Sequence, residues 1–195
     1  MSPYDIKELK ILNTLQGMAL YQLDFERGLR LIADRFIIYL VDGEKEVIIE
    51  GKANFRVRDD EKMYLAFNDL YTEKSRKKEI SVRSFRSQKH VEKTYLSVAL
   101  ETVNEKVKGR KVIKVQAKPY GDLYVHFDNG IVFEIIHDCH IEETEIFTII
   151  NKNTEREYTI INRDDEFFIE DKEMFKSDKK IEIISEKLKY QRENI

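Results

Sequence analysis

From residue 20 to residue 67 the chain is a succession of short apolar segments separated by polar turns. Residues 20–25, 29–33, 36–41, 47–50, 53–57 and 63–67 are rich in β-branched and aromatic side chains. Glu26-Arg27-Gly28, Asp42-Gly43-Glu44-Lys45, Gly51-Lys52 and Asp59-Asp60-Glu61 punctuate them. Short strands at this spacing predict an antiparallel meander. The same pattern returns over residues 112–117, 123–127, 131–137, 145–150 and 158–162, with residues 167–169 adding a last short strand. Asp128-Asn129-Gly130 lies between two of these segments, and Asn-Gly flanked by strands is the strongest short-range hairpin signal. Asn151-Lys152-Asn153-Thr154 supplies another turn.

Elsewhere the apolar spacing lengthens to helical steps. Pro3, Ile6, Leu9, Leu12 and Leu15 predict a short amphipathic helix that Gly17 ends. Val91, Tyr95, Val98, Ala99, Thr102, Val103 and Val107 put one apolar stripe on a helix over residues 88–108, closed by Gly109. Ile181, Ile184 and Leu188 predict a C-terminal helix. Residues 73–89 hold no long apolar run, although residues 80–85 alternate like an exposed strand.

The two halves follow one plan. Leu15-Gln16-Gly17-Met18-Ala19-Leu20 parallels Val107-Lys108-Gly109-Arg110-Lys111-Val112, with a helix before each glycine and a strand after it. Phe36-Ile37-Ile38-Tyr39-Leu40-Val41-Asp42-Gly43 parallels Leu123-Tyr124-Val125-His126-Phe127-Asp128-Asn129-Gly130, and Gly28 and Gly121 fall in similar loops. Matched glycines imply matched turns. The expected fold class is therefore α+β: two pseudo-repeated helix plus antiparallel β-meander units, with a C-terminal helix. The units span residues 1–72 and 88–170, joined by a basic connector over 73–87 and followed by a C-terminal helical segment over 171–195. Their sheets form one continuous sheet or a sandwich; the alternative is a single barrel-like sheet carrying the 88–108 helix on one face.

The pattern Leu-x-Gly, a strand, then strand-Asp-Gly-strand, covering residues 12–58 and 104–150, resembles that of small uncharacterised bacterial β-meander proteins. Some of these are encoded near toxin systems and are regarded as immunity proteins. The resemblance implies a protein-binding role and brings no catalytic residue with it.

Composition narrows the setting. In 195 residues, 42% hydrophobic and 11% aromatic side chains supply a core in spite of 36% charge. Thirty-four basic against 37 acidic residues leave a net charge of −3, so no whole-molecule field favours nucleic acid or an anionic membrane. The single cysteine, Cys139, excludes an intramolecular disulfide and fits a reducing compartment. The opening residues lack the basic and apolar regions of a signal peptide, and no apolar run is long enough to span a bilayer. The expected location is the cytoplasm, and the Ile-, Lys-, Glu- and Asn-rich composition resembles bacterial or phage proteins from AT-rich genomes.

Few residues invite chemistry. On a strand, His137 and Cys139 share one face about 6.5–7 Å apart while His140 faces the other way. A metal would need a bulge and a fourth ligand, and the paired half-sites of zinc centres are missing. Pairing around Asn129-Gly130 places His126 opposite Phe133, on the order of 13 Å from the level of His137. No metal is expected, with His137, Cys139 and His140 as the runner-up set. No glycine lies near Cys139 to build an oxyanion hole for a Cys–His nucleophile. Lys74, Arg76, Lys77, Lys78, Arg83, Arg86 and Lys89, interleaved with Phe85, His90 and several serines, form the candidate binding segment for phosphates, interrupted by Glu73, Glu79 and Glu92. Acidic clusters at 59–61, 142–145 and 164–166 lack calcium-loop spacing and read as solubilising turns or as an acidic face for a basic partner. No Walker loop, G-x-G-x-x-G, G-x-S-x-G or H-E-x-x-H occurs. The expected function is that of a non-enzymatic protein-binding or inhibitor protein, immunity-like or anti-defence-like, that uses a charged and aromatic surface and no cofactor. The alternative is nucleic-acid or phosphate-ligand binding through residues 74–93. The partner is another protein first and nucleic acid second, not a membrane; the oligomeric state is open, a homodimer among the options.

Overall fold

A computed structural model of the chain describes residues 10–26, 35–51, 54–66, 72–73, 78–79, 95–118, 121–137, 144–163 and 166–174. The described helices are α1 (Lys10–Thr14) and α2 (Tyr95–Val107). Before α2 the chain forms β1 (Ala19–Glu26), β2 (Arg35–Asp42), β3 (Lys45–Gly51), β4 (Asn54–Arg58), β5 (Met63–Ala66), β6 (Thr72–Glu73) and β7 (Lys78–Glu79). After α2 come β8 (Val112–Ala117), β9 (Leu123–Phe127), β10 (Val132–Ile136), β11 (Thr144–Asn151), β12 (Arg156–Arg163) and β13 (Glu166–Glu173). A six-stranded sheet runs β1-β2-β3-β11-β12-β13, a five-stranded sheet runs β5-β4-β10-β9-β8, and β6 and β7 make a separate pair; every pairing is antiparallel.

Period-two patterning sends alternate residues into one core between the two large sheets. Phe36, Ile38 and Leu40 of β2 meet Phe55 and Val57 of β4 and Phe133 and Ile135 of β10, all buried. The Phe36 ring stacks on Phe55 with centroids 4.2 Å apart and lies 5.7 Å from Phe133, so the sheets pack face to face. Each such side chain stabilises the fold by roughly 1.5–3 kcal/mol relative to exposure. α2 adds Leu96, Ala99, Val103 and Val107 to the same core from its apolar stripe.

These observations correct the expected α+β class. Most described residues lie in strands of two antiparallel sheets, with only two short helices, and neither half of the chain forms a helix-plus-meander unit of its own. The first half places β1, β2 and β3 in one sheet and β4 and β5 in the other; the second half places β8, β9 and β10 in the five-stranded sheet and β11, β12 and β13 in the six-stranded one. Strand β3 is paired with β11, and β10 with β4. The physical reason is edge energetics. A three-stranded unit ending at β3 or β10 would leave a largely buried strand as an open edge, and the partner half closes it. The expected C-terminal helix, the strands over 29–33 and 80–85, and the first residues of both expected helices lie outside the described residues.

The glycine turns differ as well. Asp42 pairs with Lys45 across a two-residue loop whose first residue, Gly43, has φ +61°, as a type II′ turn requires. In the β9–β10 hairpin the Phe127 N–H donates to the Ile131 carbonyl at 2.9 Å across a three-residue loop closed by Gly130 at φ +82°. The extra residue moves His126 opposite Val132 instead of Phe133. The correspondence that does hold is local. Gly17 N–H donates to the Val112 carbonyl at 2.8 Å while Gly109 N–H donates to the Leu20 carbonyl at 2.7 Å. Leu20 N–H donates to Arg110 O and Val112 N–H to Met18 O, both at 2.8 Å. These reciprocal bonds tie the start of β1 to the start of β8 and join the two sheets along one side. Further along β1, the Asn104 side chain on α2 accepts from Leu23 N–H at 2.8 Å and donates to Leu23 O at 3.0 Å, so an amide takes the place of a neighbouring strand. Among the described residues no helix is long and apolar enough to cross a membrane.

Candidate functional site

The five-stranded sheet turns its second face away from the core, and alternation decides what stands there. In β4, Phe55 and Val57 point inward, so Arg56 and Arg58 point outward. In β10 the outward residues are Val132, Glu134 and Ile136; in β9 they are Tyr124 and His126. The register then builds two cross-strand rows, Gln116–Tyr124–Glu134–Arg56 and Lys114–His126–Val132–Arg58.

Glu134 is the anchor. Its side chain is 0% exposed, and each of its oxygens accepts from one arginine Nε: Oε1 from Arg58 at 2.7 Å, Oε2 from Arg56. Binding through Nε leaves the guanidinium ends pointing on. Arg58 spends Nη1 on the Asp59 carbonyl at 3.3 Å, and Arg56 has no further polar partner among the described residues. Both side chains keep more than a third of their exposure, 40% and 36%. A buried carboxylate thus holds two half-exposed guanidinium groups side by side, the geometry that suits planar anions.

Two lysines extend the patch. Lys114 is exposed, and Lys118 Nζ lies 5.7 Å from the Tyr124 ring centroid. Tyr124 Oη donates to Asp122 Oδ2 at 3.1 Å, and Asp122 Oδ1 accepts from the His137 N–H at 2.8 Å. Asp122 is 5% exposed. The two carboxylates of the face, Glu134 and Asp122, are therefore buried while its four cations reach outward; exposed acids begin at the β4–β5 turn. His126 lies between Lys114 and Arg58. Burial first, then those two cations, holds its ring below the ordinary histidine value of 6.5, against an opposing pull from Glu134. Its Nε2 is buried without a hydrogen-bond partner among the described residues.

Of the basic residues expected to bind phosphates, only Lys78 is described, by its backbone. It pairs with Glu73 in the β6–β7 ladder, and β6 lies against α2. Lys74, Arg76, Lys77, Arg83, Arg86 and Lys89 lie outside the described residues, as do Cys139 and His140 of the runner-up metal set. Of that set His137 is described, with its backbone engaged by Asp122. Among the described residues no three His, Cys, Asp or Glu side chains could hold a metal ion. The sequence reading missed Arg56, Arg58, Lys114, Lys118, Tyr124, His126 and Glu134 as a group. Two signals were there: arginines alternating with core residues in Asn54-Phe55-Arg56-Val57-Arg58, and a lone Glu inside the apolar run Val132-Phe133-Glu134-Ile135-Ile136. A solitary carboxylate in a buried strand requires a cationic partner, but only strand order names it. The chain matches no family model, no curated protein and no solved structure.

Proposed function

We propose that the chain is a non-enzymatic binding protein of the cytoplasm that captures an acidic surface of another protein with the outer face of its five-stranded sheet. The observation that carries this reading is the charge arrangement: Arg56, Arg58, Lys114 and Lys118 face outward from one sheet while Glu134 and Asp122 are buried beneath them. Arginine and tyrosine held in fixed positions are the residues that concentrate binding energy in protein interfaces. The resemblance of the strand-Asp-Gly-strand pattern to immunity-type proteins supports the same class, and the lone cysteine supports a reducing compartment. A protein partner suits the face better than nucleic acid. The Tyr124 ring is capped by Lys118 and its hydroxyl is held, so it offers no open stacking platform for a base.

The test is NMR shift mapping with two probes, a poly-glutamate peptide and a single-stranded oligonucleotide of equal charge. The peptide should shift residues of β4, β9 and β10, and the double substitution K114E/K118E, at two partly exposed positions, should abolish the shifts while leaving the circular dichroism spectrum unchanged. Anion binding beside His126 should also raise its depressed value toward 6.5, so affinity should increase as pH falls below 6.5. Shifts confined to residues 72–90, or an oligonucleotide preferred with a steep salt dependence, would replace this reading by polyanion binding through the basic segment.

A further inference from the structure

The two large sheets end in four edge strands, β1, β13, β5 and β8. On β1 the Leu23 backbone is held by Asn104, and β5 lies against α2. β13 carries Glu166, Glu170, Asp171 and Glu173 against a single lysine, Lys172, an acidic edge of the kind that discourages pairing. β8 is built differently. Its first residue, Val112, is bonded to Gly17 and Met18, and the Lys118 N–H donates to the Asp122 carbonyl at 2.8 Å. Between these ends the register pairs Lys114 with His126 and Gln116 with Tyr124. Bonded and non-bonded pairs alternate in an antiparallel ladder. Lys114, Gln116 and Lys118 therefore turn their backbone groups toward β9, while Val115 and Ala117 turn theirs away from the sheet. Among the described residues nothing bonds to these outward N–H and C=O groups.

The side chains along this open edge are sorted by the pleat. Val115 and Ala117 pack, half-buried, against the margin of the core. Lys114 and Gln116 stand on the outer face, and Lys118 reaches it over the Tyr124 ring. Lys114 and Lys118 are about 13 Å apart along the strand. Ile113, at the bulge where the open stretch begins, is 59% exposed, more than any other large apolar side chain described. We infer, building on the acidic-partner reading of this sheet, that the partner delivers its acids on a strand added to β8. An extended segment with the order acid, apolar, polar, apolar, acid, apolar pairs antiparallel with residues 113–118. Its two acids stand opposite Lys118 and Lys114, and its first two apolar residues lie opposite Ala117 and Val115, where they extend the core margin. The polar residue between them meets Gln116, and the last apolar residue covers Ile113. Antiparallel addition continues the pattern of the sheet and is the more stable pairing per residue. Main-chain bonds hold such a segment, and its alternate side chains select it.

The probe is the peptide acetyl-Glu-Val-Thr-Val-Glu-Leu-amide, followed on the full chain by NMR shifts and amide hydrogen exchange. In the free protein the Val115 and Ala117 amides should exchange fast, while those of Gln116 and Lys118 are protected by β9. Saturating peptide should slow Val115 and Ala117 several-fold. N-methylation of both valines, whose N–H groups would face β8, should abolish binding; N-methylation of the threonine should not. A117P removes an outward donor and no ladder bond, so it should abolish binding with an unchanged circular dichroism spectrum. Peptide that shifts β4, β9 and β10 without protecting Val115 and Ala117, or that binds with methylated valines, would overturn strand addition and leave the acidic-partner reading standing. Equal protection by a peptide with threonine in place of both glutamates would overturn the acid pairing. Failure of this peptide and of poly-glutamate alike would end both readings. Slow exchange of Val115 and Ala117 without peptide, rising with protein concentration, would also overturn the inference, because a second copy would then be the occupant.

Discussion

At the scale of single residues, the outer face of the five-stranded sheet depends on an asymmetry of burial around one ion triad. Removing Arg56 and Arg58 strands a carboxylate that has no access to water, whereas removing the charge of Glu134 strands two guanidinium groups that do. R56A/R58A should therefore cost about 3–5 kcal/mol, the range for an orphaned buried charge. E134Q should cost less, about 1–3 kcal/mol, in urea unfolding; the reverse order would mean that the arginines, not the glutamate, are the desolvated partners. The β4–β5 turn carries a second coupled pair. Asp59 accepts from the Tyr64 hydroxyl at 2.5 Å and from the N–H groups of Glu61 and Lys62 at 2.8 and 2.7 Å. Tyr64 first, then those N–H groups, hold the Asp59 carboxyl below its ordinary 3.8, and Asp59 in turn raises the Tyr64 phenol above 10.0. The stabilisation from Asp59 is complete above pH 3.8 and is lost as pH falls through the lowered value; that from Tyr64 is complete below pH 10.0 and is lost as pH rises through the raised value. Y64F should return the Asp59 carbon resonance toward an ordinary titration and remove one late-titrating phenol from the absorbance curve at alkaline pH. Neither pair was legible in the sequence, because each joins side chains whose proximity depends on strand register or on a bulge.

Elements were easier to read than their partners. Alternation placed β1 to β5 and β8 to β13 within one or two residues of their ends, apart from β13, which runs from 166 to 173 and not merely from 167 to 169. Helical spacing located α2. What the pattern could not give was the second role of α2. Asn104 stands on its face toward β1 and satisfies both backbone groups of Leu23, while Asp24 Oδ1 accepts from Phe25 N–H at 2.8 Å, so the outer edge of β1 is closed by side chains. N104A should cost about 1–3 kcal/mol by opening two half-buried backbone groups. N104D should be worse than its isosteric shape suggests, since a carboxylate can accept from Leu23 N–H but repels its carbonyl. Both variants should self-associate in size-exclusion chromatography more than the parent does; unchanged stability would show that water replaces the amide at no cost.

At the scale of the whole molecule, each large sheet is completed by strands from both halves of the chain. The central ladders join residues far apart in sequence, Ile49 with Ile149 and Ile135 with Phe55. Closure of such long loops precedes most of the core contacts, which predicts slow folding for a protein of this size. It also predicts that fragments fail singly. Residues 1–72 and 73–195, made separately, should lack dispersed amide resonances, because β3 and β10 would be left as open apolar edges. Mixing the two fragments should restore the dispersion of the intact chain. A fragment that folds alone with native-like shifts would show that its half carries a complete core.

The sequence by itself determined the local choices. Period-two alternation specified strands, Asp-Gly and Asn-Gly specified tight turns, and one helical stripe specified α2, because each depends on residues a few positions apart. It also marked Glu134 as a buried charge in need of a cation. Tertiary structure alone decided which strands became neighbours, and with that everything else: the exchange of meanders between sheets, the meeting of Glu134 with Arg56 and Arg58, and the burial of Ile37, Tyr39, Ile48 and Ile150 on the outer side of their sheet. Hydrogen-bonded ladders are indifferent to sequence identity, so many pairings satisfy the same pattern. Among the described residues, the arrangement that forms is the one that pairs β3 and β10 on both sides and gives the buried Glu134 two cations.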